Sequence, residues 1–253
     1  MSFWFWHGLK NGIRTTQYPV MPDLTVGVTP GRPVKTLFAN SQEAERASGI
    51  CPTGAIVSHG NESAVLLGNC VHCQRCRTSL PQAMDWREDY EWTIGGSDQK
   101  EFEALPGAYV RSTHIMVVDA GDCGACLREV KQLNNPFYNM HRLGLFLTAT
   151  PRAADVLLVV GPVSENMRGP LLKTYEAMPT PKKVIAVGAC AISGGVFGHT
   201  FMSAGGVGSV LPVDLKVPGD PPPPLAILHG LLVATGRKSP SREESVATVG
   251  ASA

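Results

Sequence analysis

The chain has 253 residues, 22 basic against 21 acidic side chains, 43% hydrophobic residues and 17% charged ones. This near-neutral balance gives no reason to expect a nucleic-acid partner, the apolar content suffices for one good-sized core and a smaller second unit, and no apolar run approaches the roughly 18 residues of a membrane span. Seven cysteines, odd in number, clustered at C-x-x-C spacings and unaccompanied by a signal peptide, point to metal ligation in a reducing compartment rather than to disulfides.

The opening stretch gathers Phe3, Trp4, Phe5, Trp6, Leu9 and Ile13 beside Lys10 and Arg14. It reads as an N-terminal amphipathic arm over 1–35, lying on a membrane surface or in a partner's groove, or else packed back on its own domain. Within 36–84, Cys51-Pro52 resembles the segment that closes a bacterial ferredoxin half, and Cys70-x-x-Cys73-x-x-Cys76 the triad that opens one. Ferredoxins with two clusters repeat C-x2-C-x2-C-x3-C-P, and the fourth cysteine of each run ligates the other cluster. Counting back from Cys51 by that spacing lands on Ala47, Ala44 and Ser41, and counting forward from Cys76 lands on Leu80. One whole ligand set is therefore replaced. The resemblance implies a small α+β ferredoxin-like domain in which Cys51, Cys70, Cys73 and Cys76 hold a single [4Fe-4S] cluster. Zinc also accepts four thiolates, but this spacing matches paired zinc knuckles poorly. His72 is read as a solvent-facing or hydrogen-bonding residue.

Residues 85–110 are charged, aromatic and punctuated by glycine and proline, and read as linker plus docking surface. Glu88, Asp89 and Glu91 are taken as a solvated charge run. From Ile115 the pattern changes: IMVVDAGDCGACLREV is a strand, a loop carrying Cys123 and Cys126, and a helix with Leu127, Val130 and Leu133 at helical spacing. The helix start offers backbone N–H groups and a positive dipole end to a thiolate or an anionic cluster. Further strands (GLFLTAT, ADVLLVVGP, KKVIAVGA, LPVDLKVPG) alternate with helical LLKTYEAMP and a final helix begun by prolines. Such alternation predicts a mostly parallel, doubly wound sheet with ligands beyond the carboxyl ends of its strands. Cys190 follows one strand there as Cys123 follows another. The tail over 237–253 reads as disordered.

From about Ile115 to Val233 the chain resembles the small subunits of energy-converting [NiFe]-hydrogenases of the formate hydrogenlyase type and the complex I subunit that carries the terminal cluster. The segments that carry the resemblance are DCGAC, NPFYNMHRLG, TPRAADVLLVVGPVSENM, PKKVIAVGACAISGGVF and PVDLKVPGDPPPPLAILHGLL. GLKNGIRTTQYP looks like the polyferredoxin-type partner of the same complexes, so two subunits look fused. The resemblance implies a flavodoxin-like domain over 111–236. It also implies a second cluster on Cys123, Cys126, Cys190 and a fourth position, a cysteine in the family and Asp220 here. Three outcomes stay open: Asp220 ligates the fourth iron of a [4Fe-4S] cluster, the site holds a [3Fe-4S] cluster, or it holds none. Leu127 stands where the family has an acidic residue, with Glu129 two residues on, which puts any proton relay from that position in doubt.

The implied function is an iron–sulfur electron-transfer subunit of a hydrogenase-like or complex I-like oxidoreductase. It would serve a catalytic large subunit on another chain, with other iron–sulfur and membrane subunits as partners. The expected location is cytoplasmic, peripheral on the membrane through those partners, with no active site or nickel of its own. The alternatives are a docking or assembly module with a redox-silent second site, and a relay to a quinone-reducing partner. Cys190 as a nucleophile with His199 or His229, and a dinucleotide site at Gly205, Gly206 and Gly208, lack support. Met167, Met178 and Met202 are expected in the core, and His114 and His141 as structural histidines. Arg152 and Arg168 lie in segments that the resemblance places toward the partner face, where an ion pair is as good a reading as a functional contact.

Overall fold

The computed structural model describes residues 3–23, 25–34, 36–81, 84–96 and 102–241. Helix α1 (Phe3–Asn11) is exposed along its whole length. A small α+β unit follows: β1 (Arg32–Pro33), β2 (Thr36–Leu37), α2 (Ser41–Ile50), β3 (Ile56–His59), β4 (Glu62–Val65), α3 (Arg75–Ser79) and β5 (Trp86–Arg87). β2, β4 and β3 form an antiparallel sheet in that order, and β1 pairs with β5. The Asn40 carboxamide accepts the Glu43 N–H at 2.9 Å and caps α2, supplying a partner for one of the donors that every helix start leaves over.

The larger unit contains β6 (Ile94–Gly95), β7 (Thr113–Asp119), α4 (Ala125–Gln132), β8 (Leu145–Leu147), β9 (Val156–Val160), α5 (Glu165–Ala177), β10 (Lys183–Val187) and α6 (Ala189–Ser193). A small hairpin, β11 (His199–Thr200) with β12 (Ser203–Ala204), precedes β13 (Leu215–Val217) and α7 (Pro224–Ala234). The six-stranded sheet runs β6-β13-β10-β9-β7-β8, parallel except where β6 lies antiparallel to β13. Period-two alternation splits the strands between two cores. Val156, Leu158, Val160, Ile185 and Val187 face one core with α4 and α7. Leu157, Val159, Val184 and Ala186 face the other with Leu171 of α5 and Ala191 of α6. Both faces are therefore covered, as a parallel sheet requires. Every residue of α7 is buried, which explains a helix that is apolar all round.

Three sequence expectations change. The 85–110 stretch does more than connect, since Tyr90, Trp92, Ile94 and Leu105 are buried and β6 extends the main sheet. The first residues of the presumed tail are held, because Ser241 N–H donates to the Thr93 carbonyl at 2.7 Å and Lys238 pairs with Glu91 at 2.9 Å; positions 242–253 lie outside the described residues. Met178 and Met167 pack in the second core, but Met202 in the β11–β12 turn is exposed. Among the described residues, no helix is long and apolar enough to cross a membrane.

Candidate metal centres

Cys51, Cys70, Cys73 and Cys76 all line one partly open pocket, together with His72, Pro33, Val65 and Trp86. The Cys70–Cys76 loop reaches it by an unusual backbone path: His72 and Gln74 have φ of 48° and 58°, a left-handed conformation that costs non-glycine residues of order 1 kcal/mol or more. These two reversals turn Cys70, Cys73 and Cys76 toward a common space. On the opposite wall the Ala55 N–H points at Cys51 Sγ from 3.2 Å. Burial would raise the Cys51 thiol, but the N–H groups of Thr53, Ala55 and Ile56 and the Thr53 hydroxyl bring it below its ordinary value. Burial pushes Cys70 up to about 12, helped by repulsion from Cys76, Cys51 and Cys73; Cys76 is raised for the same reasons. A cationic iron core would relieve that repulsion. The donor chemistry thus fits a thiolate-held cluster.

Three of the four positions where a second ferredoxin ligand set would fall have become core, and Ser41 is exposed. Ala44, Ala47 and Leu80 are buried with Phe38, Ile56, Cys76 and Met84 in one apolar cluster.

The second candidate centre lies at the carboxyl edge of the parallel sheet, the general location for ligands in such sheets. Asp119 at the end of β7 accepts the N–H groups of Gly121 and Asp122 at 3.0 and 2.8 Å. Asp122 accepts those of Gly124 and Leu127, both at 3.0 Å. This pair of carboxylates shapes the Cys123 loop and caps α4, on which Cys126 sits. Cys190 follows β10 in α6, and Asp220 follows β13. The Ala189 N–H donates to the Gly219 carbonyl at 2.7 Å and Gly188 N–H to Val217 at 2.9 Å, tying the Cys190 and Asp220 loops together.

Two glycines make the close approach possible. At Gly188 (φ 93°) an added Cβ would lie 2.5 Å from Cys126 Sγ, and at Gly195 (φ 56°) one would lie 2.8 Å from Cys190 Sγ. Cys126 and Cys190 are buried and Cys123 exposed. Burial raises Cys126, and so do the charges of Asp122, Asp220, Cys190 and Cys123. Burial and Asp220, Cys123 and Asp122 push Cys190 up to about 11; Asp220 itself is raised by burial and by Asp122. Three thiols and a carboxylate gathered with no cation among these influences suit a positively charged inorganic core, which would favour their deprotonated forms. Among the described residues no three donors converge tightly enough to chelate a single metal ion; a polynuclear core, in which each iron takes one ligand, asks for wider spacing.

The two ligand sets are joined by side chains that sequence patterning does not reveal. His72 is not turned to solvent: its ring stacks on Trp92 with centroids 5.5 Å apart. Trp92 is fully buried, and its indole N–H donates to the Pro218 carbonyl at 2.8 Å, two residues before Asp220. A second link runs from Ser193 Oγ in α6 to the Gly68 carbonyl at 3.0 Å, just ahead of Cys70. A buried aromatic inside a charged stretch was the available signal for Trp92.

Other candidates resolve locally. Asp89 forms a two-pronged pair with Arg32 at 2.9 and 3.1 Å, and Glu91 pairs with Lys238, so neither is simply solvated; Glu88 stays exposed near Arg77. His229 is buried against the Thr93 hydroxyl at 3.0 Å, and His199 lies exposed on the hairpin. His114 sits 3.7 Å from Asp155, and His141 packs edge-on to Phe146. Burial raises Glu129. Arg168 lines an open polar cleft of about 390 Å³ with Glu165, His199, Thr200 and Ser203, while Arg152 is exposed.

A wound, mostly parallel α/β sheet with thiols and a carboxylate at its carboxyl edge defines the class of doubly wound α/β proteins. The family described as NADH ubiquinone oxidoreductase, 20 Kd subunit, matches residues 123–234. A probable membrane-bound hydrogenase subunit of Pyrococcus furiosus is 41% identical over 124 residues, which cover 49% of this chain and 74% of that protein. An NADH-quinone oxidoreductase subunit of Geotalea daltonii is 42% identical over 125 residues, covering 49% and 72%. Formate hydrogenlyase subunit 7 of Escherichia coli is 39% identical over 126 residues, covering 50% of this chain and about half, 49%, of its own length. The chain belongs to this family of hydrogenase and complex I-type oxidoreductase subunits.

Proposed function

We propose that this chain is the iron–sulfur electron-transfer subunit of a membrane-associated, hydrogenase-like or complex I-like oxidoreductase. One [4Fe-4S] cluster would be held by Cys51, Cys70, Cys73 and Cys76. A second would be held by Cys123, Cys126 and Cys190, with Asp220 on its fourth iron. Clusters bound there would supply one-electron redox chemistry between partners, and the catalytic large subunit would be a separate polypeptide. The observation that carries the reading is the presence of two separate sulfur-rich donor sets in one chain, linked through His72, Trp92 and Pro218.

The chain's own residues do the positioning. The left-handed turns at His72 and Gln74 aim the first thiols, and the Asp119 and Asp122 carboxylates shape the Cys123 loop. The Gly188 backbone leaves room for Cys126 Sγ, and burial shields Cys76, Cys126 and Cys190 from water while Cys73 and Cys123 stay exposed. Asp220 is a harder donor than cysteine, so the iron it holds would be the most exchangeable one. We expect peripheral attachment to a membrane complex, in keeping with the membrane-bound hydrogenase subunit among the relatives.

Electron paramagnetic resonance on anaerobically purified protein, wild type beside Asp220→Cys, tests the assignment. The substitution should change the spectrum and midpoint of the second centre and leave the first untouched. An unchanged spectrum would remove Asp220 from the ligand set, and a second signal absent from both proteins would favour a docking role with a silent second site.

A further inference from the structure

The redox reading leaves the first helix unused. Phe3, Trp4, Phe5, Trp6, Leu9 and Ile13 are between 46% and 83% exposed, and no residue of α1 is buried. Its rings meet their neighbours within the helix, Trp4 on Phe5 at 6.5 Å and Phe5 on Trp6 at 6.3 Å, both edge to face. A Cβ added at Gly8 or Gly12 would meet nothing within 4 Å. Along these residues the helix stands clear of the body of the protein.

The arrangement of the rings says what would cover them. Successive helical residues step about 100° around the axis, so four aromatic residues in a row send rings to every side. Tryptophan favours the boundary between lipid headgroups and acyl chains, where exposed aromatic rings and flanking basic residues are both accommodated. Charge points the same way: from Phe3 to Pro22 the formal charges are Lys10 and Arg14, with no aspartate or glutamate. Val20 and Met21, a few residues on, are exposed as well.

We propose that α1 docks on an anionic lipid bilayer, its aromatic girdle seated in the interfacial zone and Lys10 and Arg14 on headgroup phosphates. The chain then holds a membrane contact of its own, independent of its clusters and of any partner subunit.

Sedimentation of the purified full chain with phosphatidylcholine vesicles, with and without phosphatidylglycerol, tests this. The wild type should pellet with the anionic vesicles. Trp4→Ser with Trp6→Ser should weaken binding at least about tenfold, the equivalent of about 1.4 kcal/mol. Lys10→Glu with Arg14→Glu should reduce binding to anionic vesicles by at least about tenfold, to the level seen on neutral lipid. Both variants should keep the wild-type thermal midpoint, because the altered side chains touch nothing in the core. Wild type left in the supernatant with both lipids would overturn the proposal. So would unaltered binding by the tryptophan variant, or vesicle binding that appears only after a partner protein is added, which would reassign α1 to a protein groove.

Discussion

Cys51, Cys70, Cys73 and Cys76 come from one short stretch of a unit whose core is Phe38, Ala44, Ala47, Ile56, Leu80 and Met84. Cys123, Cys126, Cys190 and Asp220 come from three strand ends of a sheet buried on both faces. In the first region the loop bends to the donors, and its left-handed residues bear that cost locally. In the second, strand register and glycine contacts fix where Cys126 and Cys190 sit. An added methyl group should therefore matter little where the backbone beside the first donors is open, as at Gly54, and greatly where it meets a donor of the second set, as at Gly188.

Paired glycine substitutions would break this comparison or sharpen it. Gly188→Ala puts a methyl group 2.5 Å from Cys126 Sγ, and we expect the iron of the second centre, about half the total, to be lost while the first is kept. Gly54→Ala, at φ 62° with nothing within 4 Å of the new Cβ, should retain all its iron and lose only about 1 kcal/mol to left-handed strain. Iron analysis with denaturation of both variants checks the pair; equal losses would show that the two regions do not differ in this way.

Trp92 probes the seam between the regions. Trp92→Ala should cost about 3–5 kcal/mol in chemical denaturation, the usual range for a fully buried large aromatic. Trp92→Phe should cost less, because it keeps the stack on His72 and gives up only the indole N–H to Pro218. If the alanine variant were as stable as wild type, the seam would carry no packing energy.

A smaller effect belongs to the sheet region alone. Burial lowers His229 from 6.5 to about 4, so its charged form is penalised in the folded state. The resulting stability is fully present above pH 6.5 and is lost as pH falls through about 4, to a limit of about 3 kcal/mol. Unfolding free energy measured across that window should show the loss in wild type and a flatter curve in His229→Gln.

Much of this was legible in the chain. The apolar runs ADVLLVVGP and KKVIAVGA, alternating with helical segments, announced a doubly wound sheet, and the Cys123–Cys126 loop fell where a strand hands over to a helix. The replaced ferredoxin ligands at Ala44, Ala47 and Leu80 could be read from spacing, although their conversion into an apolar core could not. What stayed hidden depends on contacts between distant residues. Trp92 meets Pro218 across 126 positions, so a stretch rich in charge and glycine read as a linker. His72 read as a solvent-facing or hydrogen-bonding residue because nothing near it in sequence announces the indole it stacks on. Met202 fitted an apolar count but sits in a hairpin turn.

Iron and acid-labile sulfide counted per chain, on protein purified without oxygen, test the central claim most directly. Two centres predict about eight irons, or about seven if the Asp220 site has shed its exchangeable iron. A count of about four, with the first centre's signal intact, would contradict a chain that holds two clusters.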